Sequence, residues 1–184
     1  MKDRLYNIRH QWQVYRADLH LDKHLFTHLD KHLIAALVIA PFIWISLAFL
    51  TYCTDILALP IPDFSMRLLY FSVFLYPMLE ELTFRGLVQG YFLKVIPITL
   101  KYALIQKQYS LPSAANLLTS VIFTFCHWYI VSPTLTSLLV FFPSLIFGHF
   151  RERFDSVIPA IFLHIFYNGG FMLTLLLLNR HNIH

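Results

Sequence analysis

Five stretches of the sequence are apolar over a length that fits a membrane-spanning helix, and polar connections separate them. A spanning α-helix needs about 20 predominantly apolar residues. The stretches cover residues 33–54, 68–93, 114–131, 134–150 and 156–178. The third and fourth lie near the lower length limit, so a re-entrant hairpin is an alternative there. The pattern predicts an all-α fold, a polytopic integral membrane helical bundle of about five to six transmembrane helices.

The composition favours a membrane protein over a soluble domain. Of the 184 residues, 58% are hydrophobic and 13% are charged, whereas soluble domains carry about 25% charged residues. The distribution of polar and apolar residues divides the chain into three regions: a polar leader at 1–32, a transmembrane domain at 33–178 and a short C-terminal tail at 179–184. The net charge of +4 is scattered and forms no basic patch. The expected partner is therefore the lipid bilayer, and nucleic acid is excluded.

Lysine and arginine residues lie mostly at one of the two ends of the predicted bundle. They concentrate in the leader and in the connections after the second and fourth stretches. These residues are Lys2, Arg4, Arg9, Arg16, Lys23 and Lys31, then Lys94, Lys101 and Lys107, then Arg151 and Arg153. By the positive-inside rule, this distribution predicts a multi-pass protein with a cytoplasmic N-terminus.

The leader carries a short internal repeat, LDKHL, at 21–25 and again at 29–33. The spacing places its leucines on one helical stripe and its histidines on the neighbouring stripe. The histidines are His20, His24, His28 and His32. We expect an amphipathic helix on the bilayer surface. A histidine metal ladder and a pH-responsive anchor are the alternatives.

Two adjacent glutamates, Glu80 and Glu81, interrupt the second apolar stretch. A carboxylate at the centre of a bilayer costs about 2.5–3.5 kcal/mol on insertion scales, so such residues mark functional sites. Glu81 and Arg85 are at i,i+4 positions and are expected to pair. Glu80 points about 100° away from Glu81 and has no local partner. A purely structural ion pair explains Glu81 and Arg85 but leaves Glu80 unexplained.

Polar side chains also lie within the third and fifth stretches. His127 belongs to the third, and His164 and Asn168 share one helical face in the fifth. Taken separately, they are ordinary packing or hydrogen-bonding residues. Together with Glu80 they form a set suited to water activation and oxyanion stabilisation. The same set equally resembles a partial zinc shell, although the sequence contains no HExxH motif.

Three short motifs occur in order on three separate apolar stretches. They are EExxxR from Glu80 to Arg85, FxxxH from Phe123 to His127, and HxxxN from His164 to Asn168. In this arrangement the chain resembles the CPBP family of CAAX-protease and bacteriocin-processing intramembrane proteases, also called Abi proteins. The resemblance covers residues 70–172.

The resemblance implies an intramembrane endopeptidase that hydrolyses a peptide bond of a membrane-associated protein or peptide substrate. It implies that Glu80 and His127 activate a water molecule for attack on the scissile carbonyl. It also implies that His164 and Asn168 hold the developing oxyanion.

In the same family pattern, Glu81 and Arg85 are supporting residues. The histidines then have roles without a metal ion, so the resemblance favours a glutamic-type protease that needs no cofactor. A zinc-dependent version of the same protease is the alternative.

The family implies a location in the bacterial inner membrane. A non-catalytic membrane immunity or binding protein is the second hypothesis, because members of the family are linked to bacteriocin self-immunity. The turn at residues 153–155 is bulkier and more acidic than the family pattern. The chain also has fewer spans than the prenyl-protein endopeptidases, so a prenylated substrate is not implied. The sequence assigns no oligomeric state.

Overall fold

The computed structural model describes residues 30–53, 65–96, 112–131, 133 and 135–181. Their regular structure is helical throughout, without a β-strand in these ranges, which confirms the all-α prediction. The helices are α1 (Lys31–Cys53), a composite α2 (from Met66 to Val95), α3 (Ala114–Ile130), α4 (Leu135–Leu139), α5 (Phe141–Arg153) and α6 (Ile158–His181). Most of the predicted leader, with three of its four striped histidines, lies outside the described residues, as do tail residues 182–184.

Side-chain caps mark the starts of α1 and α3. Asp30 Oδ1 accepts two backbone N–H groups of the first turn of α1, at 2.8 and 3.2 Å. Ser113 Oγ accepts the N–H of Asn116 at 3.0 Å. Each such cap stabilises a helix by about 1 kcal/mol. Asp30 Oδ2 also lies 2.7 Å from Nε of Arg153, so the start of α1 is tied to the end of α5.

The composite helix α2 alternates between α-helical and π-helical turns. Its α-helical segments are Met66–Tyr70, Tyr76–Glu81 and Gly90–Val95, and its π-helical segments are Phe71–Leu75 and Leu82–Gln89. Pro77 is the second residue after the first π-helical segment and has no N–H to continue the hydrogen-bond ladder. π-helical turns are rare and occur frequently at functional sites, so they indicate a functional site in the middle of α2.

The predicted fourth span, residues 134–150, is two helices in the structure. The short α4 ends at Leu139, and after a turn at Val140 the longer α5 continues to Arg153. The turn that joins α5 to α6 contains Asp155 with a φ of 47°. This left-handed conformation is one that aspartate adopts more readily than most side chains.

The apolar core lies where α6 packs against α1 and α5. Small side chains at Ala36, Ala40 and Ala160 let these helices approach closely. The larger buried members are Phe147, Phe150, Leu163 and Tyr167. The hydroxyl of Tyr167 donates to the carbonyl oxygen of Ala36 at 3.1 Å, so this buried polar atom is satisfied.

Large apolar side chains cover the outside of the bundle. Phe42, Phe49, Phe125 and Tyr129 are between 63% and 77% exposed. In the part of the chain that the structure describes, one helical stretch, Ile158–Leu177, has the length and hydropathy to cross a membrane, and Lys31–Leu47 and Ala114–Ile130 are shorter apolar helices. An exterior of this kind is typical of a protein that contacts lipid or another apolar surface.

A polar ladder, formed by Gln89, Ser113, Gly148 and Glu152, joins the end of α2 to α3 and α5. Gln89 Nε2 donates to the carbonyl oxygen of Gly148 at 3.1 Å and to Oε1 of Glu152 at 2.8 Å. The same carboxylate oxygen accepts the hydroxyl of Ser113. These contacts place the end of α2, the start of α3 and the end of α5 at one side of the bundle.

Gly148 is needed because Asn116 lies directly against its backbone. Asn116 Nδ2 donates to the carbonyl oxygen of Leu145 at 2.9 Å, and its Oδ1 accepts the hydroxyl of Ser120 at 3.2 Å. A Cβ atom at position 148 would lie 2.0 Å from that Oδ1. Hydrogen bonds therefore hold both atoms of the Asn116 amide in place. Position 148 has no room for a residue larger than glycine.

Gly148→Ala is expected to destabilise the protein by about 1–3 kcal/mol, the usual cost of overpacking a tightly packed interior. The melting temperature of the purified protein measures the effect. Gly86→Ala is the matched control, because an added Cβ there would lie 3.9 Å from Val157, an ordinary contact. A Gly148→Ala variant that melts with the wild type would contradict this account of the packing.

Candidate functional site

Glu81 is fully buried, and both of its carboxylate oxygens are engaged. Oε2 lies 3.2 Å from Nε of Arg85 on the same helix, which is the ion pair that the i,i+4 spacing predicts. Oε1 lies 2.9 Å from Nδ1 of His164 on α6. A buried carboxylate is tolerated when it is both paired and hydrogen-bonded. Glu81 is therefore a bridge between α2 and α6 as well as the partner of Arg85.

The guanidinium group of Arg85 is also fully buried and reaches two further helices. Its Nη2 donates to the carbonyl oxygen of Ser144 at 3.0 Å and to the Oγ of the same residue at 2.8 Å. Its Cζ lies 5.4 Å from the centre of the Phe123 ring on α3, within the range of a cation–π contact. Arg85 thus joins α2 to α3 and α5.

The two ring nitrogens of His164 face the two glutamates. Nδ1 contacts Glu81, and Nε2 lies 3.7 Å from Oε2 of Glu80. Phe147 on α5 stacks on the imidazole, with 4.9 Å between ring centroids. An ionised carboxylate only accepts hydrogen bonds, so Glu81 places a proton of His164 on Nδ1. This leaves Nε2 directed toward Glu80.

Glu80 keeps contact with solvent, unlike its neighbour in the sequence. Its side chain is 29% exposed, whereas that of Glu81 is 0% exposed. The 3.7 Å between Glu80 and His164 is longer than a hydrogen bond. Within the described ranges, no residue makes a closer polar contact with the Glu80 carboxylate. Glu80 thus has the accessible acceptor oxygens that a general base requires.

His127 lies on α3 beside the same aromatic ring that Arg85 covers. The centroid of its imidazole is 5.0 Å from that of Phe123, and the centroids of Phe123 and His164 are 6.2 Å apart. The imidazole of His127 makes no hydrogen bond with any residue that the structure describes. The two histidines predicted from the sequence are therefore brought to one phenylalanine ring, and the His127 ring nitrogens remain available to a water or a substrate.

Asn168 contacts the backbone of α2. Its Nδ2 donates to the carbonyl oxygen of Ser72 at 3.0 Å. The helix leaves that carbonyl without a donor, because the N–H of Tyr76 bonds to Phe71 and Pro77 has no N–H. Asn168 thus fastens α6 to the first π-helical segment of α2, and its role toward an oxyanion stays a prediction.

Three contributors to the site were not assigned a role from the sequence: Phe123, Ser144 and Phe147. Phe123 belongs to the FxxxH motif, but its contacts with Arg85 and both histidines arise from tertiary packing. Ser144 and Phe147 lie in an apolar run without charge or motif. The one signal in the sequence is the i,i+4 register of Ser144 with Gly148 and Glu152, which places all three on one face of α5.

Zinc is the alternative cofactor for these residues. Among the residues described, no group of three or more His, Cys, Asp or Glu side chains is placed to hold a metal ion. A protein zinc site needs three or four ligands around one point. Glu81 and Nδ1 of His164 already bind each other. The described donors therefore do not fit a zinc site.

A family model matches the part of the chain that contains the site. It describes type II CAAX prenyl endopeptidase Rce1-like proteins and matches residues 62–170, more than half of the chain. The matched range contains all six predicted site residues: Glu80, Glu81, Arg85, His127, His164 and Asn168. No curated protein and no solved structure matches the chain.

Glu81→Gln is expected to lower the stability of the protein by about 3–5 kcal/mol, because it leaves Arg85 as an uncompensated buried charge. Thermal unfolding of the purified variant measures this loss. Glu80→Gln, the same substitution at the adjacent and partly exposed position, is the control and should melt close to the wild type. Equal melting of the two variants would contradict the different environments of the two glutamates.

Proposed function

Because the chain belongs to the type II CAAX prenyl endopeptidase Rce1-like family, whose members are membrane-embedded proteases, we propose that it is an intramembrane endopeptidase of glutamic type. Membership of this family confirms the resemblance to the CPBP proteases. The proposed substrate is a membrane-associated protein or peptide, and the reaction is hydrolysis of one of its peptide bonds.

The difference between the two adjacent glutamates carries the proposal. Glu81 uses both oxygens on Arg85 and His164 and is closed to solvent. Glu80 is partly exposed and faces Nε2 of His164 at 3.7 Å. A general base must reach a water molecule and accept its proton. Glu80 meets that requirement, whereas Glu81 is closed to solvent and cannot reach a water molecule in the site.

In the proposed reaction, Glu80 removes a proton from a water molecule that His127 also orients. The water oxygen forms a bond with the carbonyl carbon of the scissile peptide, and the carbonyl oxygen takes the negative charge. His164 Nε2–H and the amide of Asn168 donate hydrogen bonds to this oxyanion. The proton on Glu80 then passes to the amide nitrogen, and the C–N bond breaks to release an acid and an amine.

The charges of the site support a donor role for His164. Its Nδ1–H already faces Glu81, so donation from Nε2 requires the doubly protonated imidazolium. In that form, His164 and Arg85 together balance the two carboxylates, Glu80 and Glu81. Burial favours such a balanced set, since unpaired charges are costly away from water.

We further propose that the bundle crosses the bacterial inner membrane several times with a cytoplasmic N-terminus. The apolar exterior supports this location. The contact between Asp30 and Arg153 puts the start of α1 and the end of α5 on one side. The predicted topology assigns both ends to the cytoplasm, where lysine and arginine are favoured.

Glu80→Gln is expected to abolish cleavage, with a loss of about 100-fold or more, because proton transfer by a positioned base contributes 10²–10⁴ to a rate. Quantitative proteomics of membranes from a Glu80→Gln strain should show an accumulated precursor relative to the wild type. Thr83→Ala, an exposed position on the same helix, is the control and should leave the proteome unchanged. Wild-type cleavage by a folded Glu80→Gln variant would refute the assignment.

The metal-free mechanism has its own test. Purified protein is expected to cleave the precursor identified in this way at an unchanged rate in the presence of a chelator. Elemental analysis should find zinc well below one ion per chain. One zinc per chain that is lost in His164→Ala, together with inhibition by the chelator, would establish the zinc-dependent alternative.

A further inference from the structure

We propose that Ser144 is a positioning residue that acts through Arg85 and Glu81 to hold His164 in its working orientation. The four side chains are linked in this order across three helices, α5, α2 and α6. We call this chain of contacts the serine relay. The inference rests on the proposed function, because that function assigns His164 to the reaction.

Ser144 is a rigid anchor for one end of the relay. It is fully buried, and both its Oγ and its carbonyl oxygen accept from the same nitrogen of Arg85, at 2.8 and 3.0 Å. One turn further along both helices, Gln89 donates to the carbonyl oxygen of Gly148. These contacts hold α5 in register with the second π-helical segment of α2, so the anchor cannot slide along it.

Planar groups carry the orientation from Ser144 to His164. Nη2 and Nε of Arg85 belong to one rigid guanidinium plane, so the position of Nη2 at Ser144 determines where Nε points. Nε contacts Oε2 of Glu81 at 3.2 Å. The other oxygen of that planar carboxylate then points at Nδ1 of His164, 2.9 Å away.

The relay determines which ring nitrogen of His164 faces which glutamate, and packing on the ring does not. Phe147 stacks on the imidazole and therefore holds the plane of the ring. Stacking does not distinguish the two faces of the ring or its two nitrogens. The contact with Glu81 makes that distinction, because it keeps Nδ1 protonated and turns Nε2 toward Glu80. Ser144 thus influences the orientation of the His164 ring without touching it.

The test is nitrogen NMR of histidine-labelled protein in detergent, with His164→Gln used to assign the His164 signals. The wild type should show a protonated Nδ1. Ser144→Ala should move the Nδ1 signal away from its wild-type position, because Arg85 loses one of its two acceptors on α5 and the contact between Glu81 and Nδ1 is held less firmly. Arg85→Lys keeps the charge but lacks the planar fork. It should therefore produce the same shift and serves as the second variant.

The same variants have a kinetic readout in cleavage of the precursor. Ser144→Ala should lower kcat roughly tenfold, the effect expected from losing a hydrogen bond to a charged group. KM should stay near the wild-type value, since Ser144 does not contact substrate. The pH profile of kcat should shift, because the contact between Nδ1 of His164 and Glu81 is loosened.

Ser120→Ala is the matched control. Ser120 is also fully buried and donates one hydrogen bond, to Asn116 at 3.2 Å, but it lies outside the relay. It should leave the His164 signals and the pH profile unchanged. Wild-type His164 signals in Ser144→Ala, or the same shift in Ser120→Ala, would overturn the inference. Shifted His164 signals in a protein that cleaves no membrane substrate would support the relay and refute only the proposed function.

Discussion

The buried ion pair between Glu81 and Arg85 is the interaction on which the rest of the structure depends. Both side chains are removed from solvent, and such a pair is stable only with good geometry and additional hydrogen bonds. Ser144 on α5 and His164 on α6 supply those bonds. The arrangement of α2, α5 and α6 is therefore coupled to the electrostatics of one carboxylate and one guanidinium group.

The backbone of α2 is irregular near this ion pair, and the irregular turns leave carbonyl groups that need hydrogen-bond donors. Carbonyl groups released by π-helical turns need donors from elsewhere, especially in an apolar environment. Asn168 donates to the carbonyl oxygen of Ser72, and Nε of Arg151 approaches that of Arg85 at 3.4 Å. Polar residues of α5 and α6 thus serve the backbone of α2 as well as the site.

Two identical side chains in adjacent positions acquire different chemistry from this arrangement. Glu81 points into the bundle, where its carboxylate pairs with Arg85 and contacts His164. Glu80 points toward the partly open side and keeps acceptor oxygens for a water molecule. A protease that works in an apolar environment needs both kinds of carboxylate, since the base must stay accessible while its surroundings stay ordered.

The sequence by itself determined the features that depend on spacing within one helix or on local composition. These include the helical class, the pairing of Glu81 with Arg85 and the three motifs that identify the family. Only the tertiary structure decided that Glu81 is shared with His164 and that Arg85 ends on Ser144, contacts between residues 83 and 59 positions apart. The division of the fourth apolar stretch and the π-helical turns of α2 were also not predicted. Apolar stretches resemble one another in hydropathy, so the spacing of polar residues along the chain cannot specify which helical faces meet. Those faces are selected because each buried charge and each open backbone carbonyl needs a hydrogen-bond or ion-pair partner on a neighbouring helix.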